Sequence, residues 1–363
     1  MTTAIIFASK KEKAMKSATP IYLHDLLDIP MIEYIMDAMN GSKKTLIVDP
    51  NETAKFEKYK TSANVKSFTS EVEMYQDFIL QLPKDDNTII SSGNTPMISN
   101  EQIKLLAKAF EKSNLSIVSL SYNLKPTGVF YIDNKVFTEK YKTLTELLDK
   151  EEIGNYDIIG EEEFFPITNR YQLSLVENDI RRDVIKKHLF NGVSIKNIDS
   201  VTIGPKVEIG EETIIYPNTY ITGEVSIGKG CKLGPFLRIR QAAKLADGVK
   251  IGNFVELKNA TMGKKSASAH LSYLGDTTIG EQVNIGCGVI TVNYDGANKH
   301  HTTIEDDAFI GCNANLIAPI TIGKSALIAA GSTVTKDVPA KNLSFARARQ
   351  INKAGYERKR KKQ

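Results

Sequence analysis

A chain of 363 residues, 41% hydrophobic and 25% charged, has the make-up of a folded globular protein and room for two or three domains. No apolar run approaches the ~20 residues of a membrane span, and the start, MTTAIIFASKKEK, lacks the flank and cleavage site of a signal peptide. The net charge of +4 comes from residues 353–363, which hold six basic side chains and one acid, so the tail reads as a solvated end and neither nucleic-acid binding nor stable membrane association is expected. Residues 1–170 alternate apolar runs with amphipathic stretches. Strands are predicted at 4–8, 45–48, 88–91, 115–120 and 128–132, and helices at 31–39, 71–82, 101–112 and 135–148. That alternation implies a mostly parallel, doubly wound α/β sheet. Residues 171–191 form a linking helix, with Leu175, Ile180, Val184 and Leu189 as its apolar stripe.

From Ile203 onward the chain counts in sixes. Ile209, Ile215, Ile221, Ile227, Leu233, Ile239, Leu245, Ile251 and Leu257 follow without a slip, and the count resumes at Ile279–Ile285 and Ile304–Val334. Glycine often follows the aliphatic, where the chain must turn a corner. This period fits neither an ordinary helix nor an alternating strand; it is the signature of a parallel β-helix, in which three hexads close one triangular coil and the aliphatics stack inside. Such hexapeptide coils are left-handed. The coil is expected over residues 192–342, with a C-terminal arm and basic tail over 343–363. Cys231, Cys287 and Cys312 each fall inside a hexad. Without CxxC or a disulfide framework they indicate a reducing, cytoplasmic setting. The count breaks at 258–278 and 293–303, and both breaks read as polar insertions that leave the solenoid, the usual place for a binding surface. They hold His270, His300 and His301.

The segments GPFLRIR (234–240), IGNFVELKNATMG (251–263), AHLSYLGD (269–276), VNIGCGVITVNYDGANKH (283–300), AAGSTVTKDVP (329–339) and RARQINKAG (347–355) closely resemble the bacterial bifunctional N-acetylglucosamine-1-phosphate uridyltransferase / glucosamine-1-phosphate N-acetyltransferase family. The resemblance covers nearly all of 190–356. It implies a homotrimer with acetyltransferase sites between subunits, acetyl-CoA as co-substrate, and a role in UDP-N-acetylglucosamine biosynthesis for the cell wall. It implies His270 as catalytic base, Arg240, Lys258, Tyr273, Asn284 and Lys299 as sugar-phosphate ligands, and Cys287, Asn293, Tyr294, Cys312, Ala330 and Arg347 at the coenzyme. Family members carry alanine at Cys287 and serine at Cys312. The chemistry is coherent by itself. Acetyl transfer to an amine needs a proton acceptor that titrates near neutrality, and two anionic substrates call for cations such as Arg240, Lys258, Lys299 and Arg347. No metal is expected at that site. His300 and His301 read as structural.

The first half resembles the family's uridyltransferase domain, a Rossmann-like nucleotidyltransferase fold, in outline only. Where the family has LAAGxGTRMKS, this chain has FASKKEKAMKS, with Lys10 and Glu12 for the glycines and Ala14 for the arginine. A phosphate cradle needs open backbone N–H groups, and a glutamate repels phosphate. PKVLH reads PIYLH, with Ile21 for the lysine. GDxPL reads GNTPM, with Asn94 for a Mg²⁺-binding aspartate, and Thr168 stands approximately at the second metal ligand. The QLGTGHA motif has no counterpart near 73–82. The expectation is therefore a shortened, degenerate domain whose uridyltransferase activity is lost. The alternatives are a fully bifunctional enzyme and a non-catalytic trimeric scaffold. A metal-dependent hexapeptide enzyme of the carbonic-anhydrase type would need three histidines meeting at a coil interface, and beside the adjacent His300 and His301 the sequence offers no third in the required setting.

Overall fold

The computed structural model describes residues 2–9, 12–158 and 166–356, in two compact units, Met1–Ile180 and Arg181–Gln363. The division falls inside one helix, α6, introduced below. The expected Lys10 and the end of the basic tail lie outside the described residues.

In the first unit seven strands form one sheet: β1 (Thr3–Ala8), β2 (Lys43–Val48), β3 (Asn64–Ser67), β4 (Asn87–Ser92), β5 (Ile117–Tyr122), β6 (Lys125–Asp133) and β7 (Ile153–Ile158), in the order β3-β2-β1-β4-β6-β5-β7. The sheet is mostly parallel, as expected, and becomes mixed through one strand: β6 runs antiparallel to both β4 and β5. Alternate residues Ile5, Ile47, Ile90, Ile117 and Ile132 face one apolar layer, which Met74, Tyr75, Phe78, Phe137 and Leu147 fill. Helices α1 (Met31–Ala38), α2 (Glu71–Asp77), α3 (Asn100–Lys112), α4 (Asn134–Glu139) and α5 (Leu144–Lys150) connect the strands. Two predicted helices are shorter than expected. The stretch 71–82 leaves α-geometry after Asp77 and ends in a 3-10 turn, Ile79–Gln81. The stretch 135–148 breaks between α4 and α5, where the Thr143 side chain accepts the N–H of Glu146 and starts a new helix. The helix α6 (Arg170–Phe190) buries Val176, Ile180, Ile185 and His188, while Leu175 and Leu189, expected on its apolar stripe, are exposed.

The second unit is the predicted parallel coil. Each short strand pairs in parallel with the strand one coil on, as in Ile203↔Ile221↔Ile239↔Leu257 and Ile215↔Leu233↔Ile251. These aliphatics are buried and stack along the inside of the prism. Pairing continues through Leu343–Ser344, beyond the expected end of the coil at 342.

The two breaks in the count differ in kind. Across 258–278 the chain does not leave the solenoid. Strands β8 (Lys250–Met262) and β9 (Ala267–Ile279) pair almost residue for residue, with Lys250↔Ala267 and Thr261↔Thr278. A coil here simply has seventeen residues instead of the eighteen that separate Lys232 from Lys250. The second break, 293–303, does project, closed by an antiparallel bridge Tyr294↔Lys299.

Close stacking of coils constrains the backbone. A Cβ on Gly252 would overlap the carbonyl oxygen of Ala269 on the next coil. Gly252→Ala should therefore cost about 1–3 kcal/mol, the usual penalty of overpacking. We expect the far-UV dichroism melt of the coil to fall by several degrees; an unchanged melting temperature would contradict this packing.

Candidate active site

The ladder that stacks the core also stacks the surface. One corner of the coil carries Asn253, His270, Cys287, Cys312 and Ala330 in a single column. Asn253 is paired directly with His270. The registers Ser268↔Ile285 and Tyr273↔Ile290 place His270 opposite Cys287. Asn313 N–H donates to Cys287 O (2.7 Å) and Gly331 N–H to Cys312 O (2.8 Å), which aligns Cys287 with Cys312 and Cys312 with Ala330. The Arg347 stem lies against Gly331, beside Ala330. His270 is exposed, and its Nδ1 lies 3.3 Å from Asn253 Oδ1. With that oxygen as acceptor, Nδ1 carries the proton and Nε2 keeps the lone pair that a general base needs.

On the face beside this corner a second group converges. Arg240 pairs in register with Lys258, and Lys258 with Gly275. Gly275 has no side chain, and the Tyr273 hydroxyl lies in the space a Cβ there would need (2.5 Å), so the phenol sits on the rung next to Lys258. Arg240 Nε bonds Glu256 Oε1 at 2.6 Å. The Lys258 ammonium lies against that of Lys299, and this contact, together with burial and the nearby Arg240, pushes its pKa down. Asp276 is the counter-charge. Burial raises it, but hydrogen bonds from Asn259 (2.7 Å) and Asn293 (2.5 Å), with the charges of Lys258 and Lys299, outweigh that and hold its carboxyl below the usual range.

The chain thus brings Arg240, Lys258, Tyr273, Lys299 and Asn293 into one cluster, with His270, Cys287, Cys312, Ala330 and Arg347 along the adjoining corner. Asn284 stands on the other face that meets at this corner, between Ala267 and Phe309. Tyr294 is exposed in the projecting loop, its hydroxyl on Gly296 O (2.6 Å). His300 is held by Asp295 (2.7 Å) and His301 by Thr278 (3.0 Å), local partners that suit structural roles. Sequence reasoning missed Asn253, Glu256 and Asp276. Each is one coil away from a residue it did single out, and the seventeen-residue step would have found Asn253 from His270.

In the first unit, a cavity of about 410 Å³ opens behind β1, lined by Ser9, Glu12, Lys13, Lys16, Asp49 and Glu52 among others. Ile21, at the expected lysine position, is buried. Asn94 is buried and both ends of its amide are bonded: Nδ2 donates to Ile167 O (2.7 Å) and Oδ1 accepts from Ser92 Oγ. Thr168 gives its N–H and hydroxyl to Gln172 Oε1 (2.8 Å each). A neutral amide and a hydroxyl committed in this way do not fit a Mg²⁺ site, which needs carboxylate oxygens.

Residues 301–336 match the family described as bacterial transferase hexapeptide (six repeats). Over its whole length the chain is similar to the bifunctional protein GlmU of Geobacillus sp. strain WCH70, 33% identical over 447 aligned positions that cover 97% of each chain. GlmU of Thermoanaerobacter pseudethanolicus is 33% identical, with 97% of this chain and 96% of the relative covered. The chain belongs to the GlmU family. It is a hexapeptide-repeat transferase. The aligned length exceeds the 363 residues present, so these GlmU relatives carry segments that this chain lacks. No helix among the described residues is long and apolar enough to cross a membrane.

Because the folded-state pKa of Asp276 is depressed, its carboxylate stabilises the fold above the ordinary carboxylate range, and that contribution is lost as pH falls through the folded value. Asp276→Asn should lower the melting temperature at pH 7, and its gap to the wild type should narrow as pH falls below the ordinary carboxylate range. A gap that stays the same size as the carboxylate is protonated would show that the charge is not what matters.

Proposed function

We propose that this protein N-acetylates glucosamine-1-phosphate with acetyl-CoA, giving N-acetylglucosamine-1-phosphate for UDP-N-acetylglucosamine synthesis, and that it no longer transfers uridylyl groups. The observation that carries the reading is an exposed histidine at one corner of the coil beside a three-cation cluster on the adjoining face. Arg240, Lys258 and Lys299 supply the charge a sugar phosphate requires, and Tyr273 and Asn284 border it with hydrogen-bonding groups. The depressed Lys258 is a cation held against cations, which an anionic phosphate would relieve. His270 Nε2 takes a proton from the amine as it attacks the thioester carbonyl, oriented by Asn253. The thioester lies near His270 and the pantetheine arm runs along Cys287, Cys312 and Ala330 toward Arg347, whose guanidinium meets coenzyme phosphate. Asn293 and Tyr294 wall the site from the loop. Acetyl transfer by this route uses side chains alone, and the rest of the acceleration comes from holding amine and thioester together.

The acting form is a homotrimer. Phe236 and Phe254 stack at 5.4 Å, and Leu271 follows on the next coil; all three are more than half exposed and sit next to the Asn253–His270 corner. An apolar stripe of that kind calls for a cover, and a second copy would both cover it and wall in His270. The loss of uridylyl transfer rests on Glu12, Ala14, Ile21, Asn94 and Thr168, each of which replaces a group that phosphate or metal chemistry requires. The fully bifunctional alternative is kept alive only by the family's membership and by the cavity behind β1.

Two half-reactions on one purified sample test this. Thiol release from acetyl-CoA should depend on glucosamine-1-phosphate, be insensitive to EDTA, and fall by about 10²–10⁴ in His270→Ala. Pyrophosphate release from UTP and N-acetylglucosamine-1-phosphate with Mg²⁺ should be absent. Normal acetyl turnover by His270→Ala, or robust pyrophosphate release, would refute the corresponding half. Separately, Phe254→Glu should shift the sedimentation coefficient from trimer to monomer and remove acetyl transfer with it; a trimer that survives the charge would place the interface elsewhere.

A further inference from the structure

Cys287 and Cys312 occupy the same corner on successive coils, joined by the Asn313 N–H to Cys287 O bond and by the register Ile285↔Ile310. Both thiols are free and exposed. In-register residues of neighbouring parallel strands lie roughly 4.8 Å apart, inside the roughly 4.4–6.8 Å Cα separation that a disulfide spans. Their Cβ atoms point the same way, so their gap stays near the rung spacing, slightly wider than the roughly 3.5–4.5 Å a relaxed bridge prefers. Glycines flank the pair, Gly286 and Gly288 around Cys287 and Gly311 before Cys312, and let the two coils approach closely there: a Cβ on Gly286 would come within 2.6 Å of Cys312 N. Cys231 is different. It is fully buried, its Sγ lies 3.3 Å from Ala246 O, and burial pushes its thiol pKa up.

We propose that Cys287 and Cys312 are a redox dithiol that closes to an intrachain disulfide when a hydroperoxide reaches the corner of the coil. One thiol, as thiolate, attacks a peroxide oxygen. The O–O bond breaks, that sulfur becomes a sulfenic acid, and the other oxygen leaves as water once protonated. The second sulfur then attacks the sulfenic sulfur, the S–S bond forms, the S–O bond breaks, and the hydroxide departs as a second water with the remaining proton. Two thiols lose two electrons and hydrogen peroxide takes up both. The slight stretch across the rungs makes the bond easily reduced, so that small thiols reopen it. Bond formation does not depend on the acetyl-transfer reading. Its consequence does: on that reading the bridge lies beneath the pantetheine arm, one coil from His270, and obstructs the donor.

Hydrogen peroxide on the full-length protein tests this, followed by acid quench, alkylation and trypsin. Cleavage at Lys299 and Lys324 leaves Cys287 and Cys312 on separate peptides. Most molecules should give these peptides covalently paired, lighter by two hydrogens and separated by dithiothreitol, with Cys231 still alkylated. In Cys312→Ser the pair should vanish and dimedone should capture a sulfenic acid on Cys287. Peptides oxidised separately to sulfinic acids, or a bridge only between chains on a non-reducing gel, would overturn the proposal. Saturating acetyl-CoA should slow bridging at least several-fold. A disulfide that forms at an unchanged rate with acetyl-CoA present would leave the dithiol standing and remove the coenzyme track from above it.

Discussion

The parallel ladder between coils is the constraint from which the rest of the second unit follows. Inward aliphatics must stack on inward aliphatics, as Ile203, Ile221, Ile239 and Leu257 do. The same register then forces outward residues into columns roughly 4.8 Å apart, whatever their charge. Arg240 above Lys258 is a pairing that folding alone would not choose. Its effect is visible in the depressed Lys258 and in Asp276, which neighbouring amides and two ammonium groups keep ionised. A site built from such columns holds its electrostatic tension permanently, because relaxing it would mean shifting a register that the buried core fixes. That is how the coil keeps Arg240, Lys258 and Lys299 at close quarters against their mutual repulsion.

How much of this the sequence discloses depends on which physical rule carries the information. The coil is legible because each hexad repeats the same local demand, an aliphatic inside and often a glycine at the bend. The break at 258–278 is legible as a break but not in kind. Dropping one residue per coil destroys the count of six while leaving the ladder intact, and so it imitates an insertion. His270 and the cations are legible by resemblance, whereas Asn253, Glu256 and Asp276 are not, since what joins them to the site is rung register. In the first unit the apolar central strands are legible. The antiparallel direction of β6 is hidden because its turn, Asn123–Leu124, adopts positive φ at both residues without a glycine to announce it. β3 and β7 escape notice because edge strands such as NVKS have no apolar alternation.

The first unit poses a different question, of how a buried polar side chain at the end of a strand is satisfied. A buried aspartate at position 94 would face the Ile167 carbonyl oxygen with no proton to offer, and would need a cation to offset both that repulsion and its desolvation. Asparagine removes the charge and supplies the missing donor in one change. Its amide closes a bond to Ile167 O while its oxygen accepts from Ser92, so the strand end and the segment leading into α6 are tied together directly. Ile21 acts similarly, filling apolar space where a lysine would have had to keep its ammonium in contact with an anion. Both side chains are thus satisfied within the unit itself. Asn94→Asp would introduce a carboxylate only by breaking this clamp, so a charge at this position comes with a less stable strand end.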